Sequence, residues 1–278
     1  MKIKNLFLGV ATAAMAMAAA SCSNIDEGDR LIYVKPAEVG RAVLIEDLTG
    51  QQCLNCPTGT EIINGIIETY GEDNVIAVGI HSGPLGFAGN SKNLGLKTDT
   101  GDEYFKHWAN GKTLGQPSAI FNRKTAPNSI PNTWAAEVSL IISEKANLSV
   151  NIANAYDAET RKLTTTVGAF GTNGTVNGKL QVWIVEDGIK AIQLMPPNGT
   201  PNTEYIHNHV FRAAVNGTWG EEVTVKEGET TTKQYSYVLP EKWNADNISV
   251  VAFVYNDNGV ENVAKKHLVE HEEVTENK

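Results

Sequence analysis

Cysteine is almost missing from this chain: it has three, at positions 22, 53 and 56. That is too few for a disulfide framework, so the fold must rest on buried apolar side chains. Basic stretches are missing too. The formal net charge is −9, and no aromatic residues are interleaved with lysines, which argues against nucleic-acid binding. Beyond one short apolar run near the N-terminus, no stretch is long enough to cross a bilayer. There is no second C-x-x-C and no Cys–His pair, which argues against a four-ligand structural zinc site. No metal or cofactor is expected, and no internal repeat is visible. The length allows one large or two ordinary domains with real cores.

What is present begins with Lys2 and Lys4, an apolar run from Leu6 to Ala20, and the sequence Ala19-Ala20-Ser21-Cys22. A basic start, a run too short to span a membrane comfortably, and small residues before a cysteine resemble a bacterial lipoprotein signal over residues 1–21. An ordinary secretory signal or a single membrane span is the plainer alternative. Cleavage before Cys22 would leave that thiol carrying lipid, and loss of Lys2 and Lys4 takes the formal charge from −9 to −11. The protein would then be exported and anchored to a membrane without crossing it. Residues 22–36 read as an acidic tether. Its opening, Ser23-Asn24-Ile25-Asp26-Glu27-Gly28-Asp29, resembles the surface-export signal of Bacteroidota lipoproteins, and it equally suits a solvated linker.

The stretch that organises the rest runs from Arg41 to Tyr70. An apolar run, Ala42-Val43-Leu44-Ile45, crosses Glu46 to Gln52 and reaches Cys53-Leu54-Asn55-Cys56-Pro57. Ile62, Ile63, Ile66, Ile67 and Tyr70 then fall on one helical face. Strand, turn, C-x-x-C and helix is the context that separates a redox pair from a chance one. At a helix N-terminus, free N–H groups and the dipole favour the thiolate of Cys53. Cys56, one turn later, can attack a mixed disulfide formed there. Asn74–His81 is a second buried strand, so a right-handed crossover and a parallel pair follow. The segment 82–100 reads as an exposed loop, Asp102 to Trp108 as a helix, and Pro117 as a proline at the entry of an apolar strand, which demands an edge, a bend or a cis bond. Trp134, Val138, Ile141 and Ile142 mark another helix.

Near Ala146 the texture changes to short alternating runs between turn signals. Strands are expected at 148–152, 163–170, 180–185, 205–215, 234–239, 248–255 and 263–269, an antiparallel sandwich of Ig-like architecture. The Cys…Trp…Cys hallmark of true immunoglobulin domains is absent. The fold class is therefore α/β plus all-β: residues 37–146, then a β-sandwich over 147–270, then a frayed tail over 271–278.

Two family resemblances rest on these residues. Residues 37–146 resemble the thioredoxin superfamily. Under that resemblance Cys53 matches the nucleophile and Cys56 the resolving cysteine, the two forming a disulfide when oxidised. Pro117 matches the cis-proline that shapes the substrate groove, and Asp47, six positions before Cys53, matches a buried acid that assists proton transfer. Gln52 replaces the usual tryptophan, and Leu54-Asn55 replaces Gly-Pro. Nearly the whole chain, from Leu44-Ile45-Glu46-Asp47-Leu48-Thr49-Gly50 into the C-x-x-C and on to the β half, resembles the outer-membrane-protein (Omp) family of ~28-kDa Bacteroidales lipoproteins, an analogy that speaks to location more than to activity. It implies an outer-membrane protein held by lipid on Cys22, with a suggested adhesin or receptor role.

Two readings of function follow. In the first, the dithiol exchanges with exported proteins that carry thiols or disulfides. In the second, Cys53–Cys56 is a static disulfide at a helix end and the β half binds a partner. His207 and His209, one residue apart on an expected strand, should face one side; a half-exposed strand face explains them as well as a metal does. His81 ends a strand on the side where α/β sheets carry function. Trp183, Trp219 and Trp243 read as core or rim of the sandwich, and Pro196-Pro197-Asn198-Gly199-Thr200-Pro201 as a rigid exposed loop.

Overall fold

The structure, a computed structural model, describes residues 35–269. The signal, Cys22, nearly all of the tether, and the 271–278 tail lie outside the described residues. The first half runs β1 (Val39–Gly40), β2 (Val43–Thr49), α1 (Cys56–Tyr70), β3 (Val75–His81), α2 (Asp99–Ala109), β4 (Ser118–Phe121) and α3 (Trp134–Ile142). Strands follow: β5 (Lys145–Ala146), β6 (Leu148–Asp157), β7 (Lys162–Gly171), β8 (Thr175–Glu186), β9 (Ile189–Lys190), β10 (Gln193–Met195), β11 (Thr200–Asn202), β12 (Ile206–His207) and β13 (Val210–Ala214). The series ends with β14 (Glu221–Lys226), β15 (Thr230–Val238), β16 (Ile248–Asn256) and β17 (Gly259–His267).

Every residue of β2 is buried, because it lies between a parallel neighbour, β3, and an antiparallel one, β4, with both faces covered. That is why it reads as an unbroken apolar run rather than as an alternation. The sheet does not stop at the end of the first half. β3 pairs in parallel with β13 at Gly79 and Val210, and the path continues through β8, β16 and β17 to make seven strands, with β14, paired to β8, as the eighth. A second sheet of three strands, β15-β7-β6, packs on the far part of it.

The registers set out the cores. On one face, Val43, Ile45, Val75, Ala77 and Phe121 meet α1 and α3 through Ile63, Ile66, Trp134 and Val138. Further along, Val182, Ile184, Val250 and Ala252 meet Leu148, Leu163 and Val167 of the second sheet. On the opposite face, Leu44, Ile76 and Val78 share one cluster with Trp183, Phe211 and Phe253, roofed by Tyr104 of α2. Trp183 is fully buried there and its Nε1 donates to the Tyr104 hydroxyl at 2.9 Å. Thr98 caps α2 by accepting from the Gly101 N–H.

Several expectations change. The run at 205–215 is not one strand: β12 pairs with β9, β13 with β8 and β3, and His209 at φ 56° turns the chain between them. The segment 82–100 is not merely exposed loop, since Leu96 is buried. β14 escaped the sequence reading because its two inward residues, Val223 and Val225, are set among glutamates and threonine.

Candidate functional site

Cys56 is the first residue of α1 and Pro57 follows it, where a missing N–H costs nothing. Cys53 and Cys56 are joined as a disulfide with their Cα atoms 5.4 Å apart. The turn before them is tight. The Cys53 N–H donates to Gly50 O at 3.0 Å, and the Gln52 N–H to Leu85 O at 3.0 Å. Only a glycine fits at 50, because a Cβ there would stand 2.2 Å from Leu85 O. Both cysteines are buried, at 1% and 2% exposure, so the sulfurs face protein and not solvent.

The cover comes from the second half of the chain. β10 and β11 form a hairpin across Pro196 and Pro197, whose own peptide bond is cis. Gln193 Nε2 donates to Cys53 O at 2.9 Å. The Leu194 N–H donates to Gln51 O at 2.9 Å. Gln51 answers by donating to Ile192 O at 3.0 Å while its Oε1 accepts from the Leu96 N–H at 2.8 Å. The Pro196–Pro201 loop is exposed at its tip, as its composition implies, but its flanks roof the disulfide. No residue type in the sequence marks Gln193 or Gln51 for this role.

Beneath the roof lies a cavity of about 30 Å³ lined by Cys56, Asp47, His81, Tyr205 and His207. It collects polar atoms without partners: Asp47 Oδ1, His81 Nδ1 and His207 Nε2. Burial alone raises the Asp47 pKa to about 7. Burial is also the main reason that His81 lies well below its ordinary value, with His207 and Arg212 adding to it. It lowers His207 to about 4. The imidazoles meet edge to face at 5.1 Å, and Tyr205 packs on His207 at 4.7 Å. All three groups are therefore neutral at pH values a little below 7, since the charged forms have no solvent.

The structure thus brings Asp47, Cys56 and His81 to one cavity and adds His207 and Tyr205, which sequence separation hides. It parts His207 from His209. The latter turns away, with Nδ1 3.0 Å from Asp187. Among the described residues no three His, Cys, Asp or Glu side chains are grouped to hold a metal. The Gln116–Pro117 bond is cis, and Pro117 faces the first turn of α1 so closely that a Cβ on Gly59 would lie 3.1 Å from its ring. Outside this contact is an open groove of about 560 Å³, lined among others by Asn55, Thr58, Ile62, Gln116 and Pro117.

Comparison with known proteins adds the following. Residues 102–272 match the family model described as outer membrane protein Omp28. No curated protein matches. Among solved structures the chain is similar to HBP35 of Porphyromonas gingivalis, at a TM-score of 0.65 and 17% identity over 86% of this chain and 79% of that one; the likeness is one of fold. It also aligns with a domain of the outer membrane lipoprotein Omp28 from Porphyromonas gingivalis, at 28% identity over 43% of this chain and 86% of that one, with a TM-score of 0.32. A sporulation control protein of Bacillus subtilis, Spo0M, aligns at 10% identity and a TM-score of 0.32, over 44% of this chain and 48% of that one.

Proposed function

This chain belongs to the Omp28 family of outer membrane proteins, and on that premise we propose that it is a lipid-anchored thiol–disulfide exchange protein facing exported proteins. It is an exported protein of the outer membrane. The anchor is lipid on Cys22, behind a signal of residues 1–21 and an acidic tether of 22–36. Residues 37–146 form a thioredoxin-like unit and 147–270 an Ig-like sandwich joined to it through the shared sheet.

The observation that carries the reading is the buried Asp47 carboxyl, whose Oδ1 has no partner and whose pKa burial raises to about 7, in one cavity with Cys56. A disulfide that only pins a helix end has no use for a buried acid titrating near neutrality; a resolving thiol needs a place to send its proton. In the reducing direction, the Cys53 thiolate attacks a substrate disulfide and one substrate sulfur leaves as thiolate. Asp47 in its carboxylate form, populated near and above its raised pKa, takes the proton of Cys56. The Cys56 thiolate then attacks Cys53 Sγ, freeing the second substrate sulfur and leaving Cys53–Cys56 oxidised. The substrate gains two electrons and the protein loses two, so a separate dithiol protein must reset the pair. Running backwards, the same steps donate the disulfide. Pro117, beside the first turn of α1, orients the substrate backbone in the groove.

A second reading has its own observation. Both sulfurs lie under the β10–β11 roof, as in a structural disulfide of a surface binding protein or adhesin. The reduction potential separates the two. Exchange requires a value between roughly −270 and −120 mV, whereas a value below about −300 mV belongs to a structural bridge. Cys56→Ser should trap mixed disulfides on Cys53 in an outer-membrane preparation. No trapping, with a potential below that limit, leaves the binding protein standing.

A further inference from the structure

The roof over the disulfide is one piece of chain with a narrow base. β8 and β13 are antiparallel neighbours that meet at Glu186 and Val210, and residues 187–209 between them leave the sheet and return to the same point. An excursion of that length between paired strands is uncommon unless it has a task. Its body folds on itself: β9 pairs with β12 and β10 with β11, and the Ala191 N–H donates to Tyr205 O at 3.0 Å. The base has left-handed backbone on both sides, Gly188 at φ 70° and His209 at φ 56°. A clasp joins the two sides. Asp187 accepts from the His209 N–H at 2.5 Å and lies 3.0 Å from His209 Nδ1. Lys265 of β17 stands 3.4 Å from the other Asp187 oxygen, and the Gly188 N–H donates to Asn208 Oδ1 at 2.8 Å.

Above that clasp the excursion is stitched firmly to itself and lightly to the rest of the protein. Its apolar seam is a small cluster, Ile189 and Ala191 against Leu96 and Val210. Over the cysteines its polar seam runs through Gln51 and Gln193, and the Tyr205 and Thr60 side chains bond beside them. The cavity next to the disulfide has Gln193, Tyr205 and His207 of the excursion as one wall, and Asp47, Cys56 and His81 as the other. Lifting the first wall uncovers Cys56 and Asp47 without parting any strands of the eight-stranded sheet.

We propose that residues 188–208 are a hinged lid that swings as a unit about Gly188 and His209 and admits a partner's sulfur to Cys53–Cys56 while the sheet stays folded. The proposal rests on the exchange reading, since a bridge that is only structural has no need to be reached in the folded protein. Exchange begins with a thiolate attacking a disulfide sulfur and so depends on access, and both cysteines are buried beneath the closed lid. The hinges are residues at the ends of elements, where a change in backbone dihedrals is absorbed most easily. The β9–β12 and β10–β11 ladders keep the lid one body. The Asp187 clasp holds its base on the sheet while the tip rises.

The test is the rate at which dithiothreitol reduces the bridge in the purified full chain, counted as alkylated thiols, at urea concentrations below global unfolding. Opening a lid exposes little surface, so the rate should rise with urea at no more than roughly a third of the slope of global unfolding. Gln193→Ala removes the bond to Cys53 O and should speed reduction about tenfold. Val167→Ala leaves a cavity in the distant second sheet; it should lower global stability yet change the reduction rate by less than about twofold. Hydrogen exchange gives a measure free of thiol chemistry: the Leu194 amide, bonded to Gln51 O, should exchange at least about tenfold faster than the amides of central strand β16. A reduction rate that follows the urea slope of global unfolding, that is indifferent to Gln193→Ala, or that Val167→Ala raises as much as Gln193→Ala does, overturns the proposal and leaves β10–β11 a fixed roof. The urea slope and the Leu194 exchange are read on the parent chain, so they decide the matter even if a variant does not fold. The reduction potential is an equilibrium quantity and the urea slope belongs to a rate, so the exchange reading and the lid fail separately.

Discussion

Asp47 shows most directly what burial does to a single side chain. The unfolded chain releases its proton near pH 3.8, whereas the folded chain keeps it to about pH 7. Between those values the unfolded state binds fewer protons, so this residue makes the fold less stable as pH rises, by on the order of 4 kcal/mol at most once pH 7 is passed. Asp47→Asn should therefore stabilise the protein at pH 8, by up to that amount, and leave it unchanged at pH 4; urea unfolding at the two pH values checks this. His81 and His207 act in the other direction. Their folded pKa values are depressed, so the stability of the neutral pair is full above about 6.5 and is lost as pH falls through about 4 for His207. The sequence places Asp47 six positions before Cys53, and the structure puts it in one cavity with Cys56. His207 and Tyr205 were not legible there, because nothing local ties a residue beyond 200 to a cavity at the end of α1. A sequence pattern reports periodicity and spacing, whereas that cavity is made by tertiary contact.

Among the elements, α1 begins at Cys56 and holds two glycines with opposite consequences. Gly65 lies on the solvent face with nothing within 4 Å of where a Cβ would be. Gly65→Ala should add about 0.5–1 kcal/mol by restricting the unfolded chain and favouring helix. A Cβ on Gly59 would stand 3.1 Å from the Pro117 ring and 3.3 Å from Trp134 Cη2. The same change there should give no gain, and it should disturb the groove beside the C-x-x-C. Thermal unfolding of both variants makes the comparison, with a gain of a few degrees expected for Gly65→Ala alone. The helices and the buried strands β2 and β3 were readable because their apolar periods are long and unbroken. The segment around β12 and β13 was not. Its apolar residues continue across His209, while its hydrogen bonds pass from one sheet to another.

At the level of the whole molecule, the two halves share an eight-stranded sheet, and the textural change near residue 146 does not divide its core. Leu44, Ile76 and Val78 of the first half are covered in company with Trp183, Phe211 and Phe253 of the second. A fragment of residues 36–146 would present the unpaired edge of β3 and an apolar face lacking half its cluster. It should self-associate or stay unfolded under conditions where the full chain remains folded, as size-exclusion chromatography and urea unfolding would report. The sequence distinguishes strand-rich from helix-bearing regions, but strand partners at this separation leave no local trace. The roof over the disulfide adds a matter of timing. Gln193 lies 140 positions beyond the cysteine whose carbonyl it holds. A chain delivered from its N-terminus therefore offers both thiols to any oxidant or partner it meets before the strand that closes over them has arrived. The order of delivery thus gives the pair an early interval of exposure that ends when the hairpin closes over it.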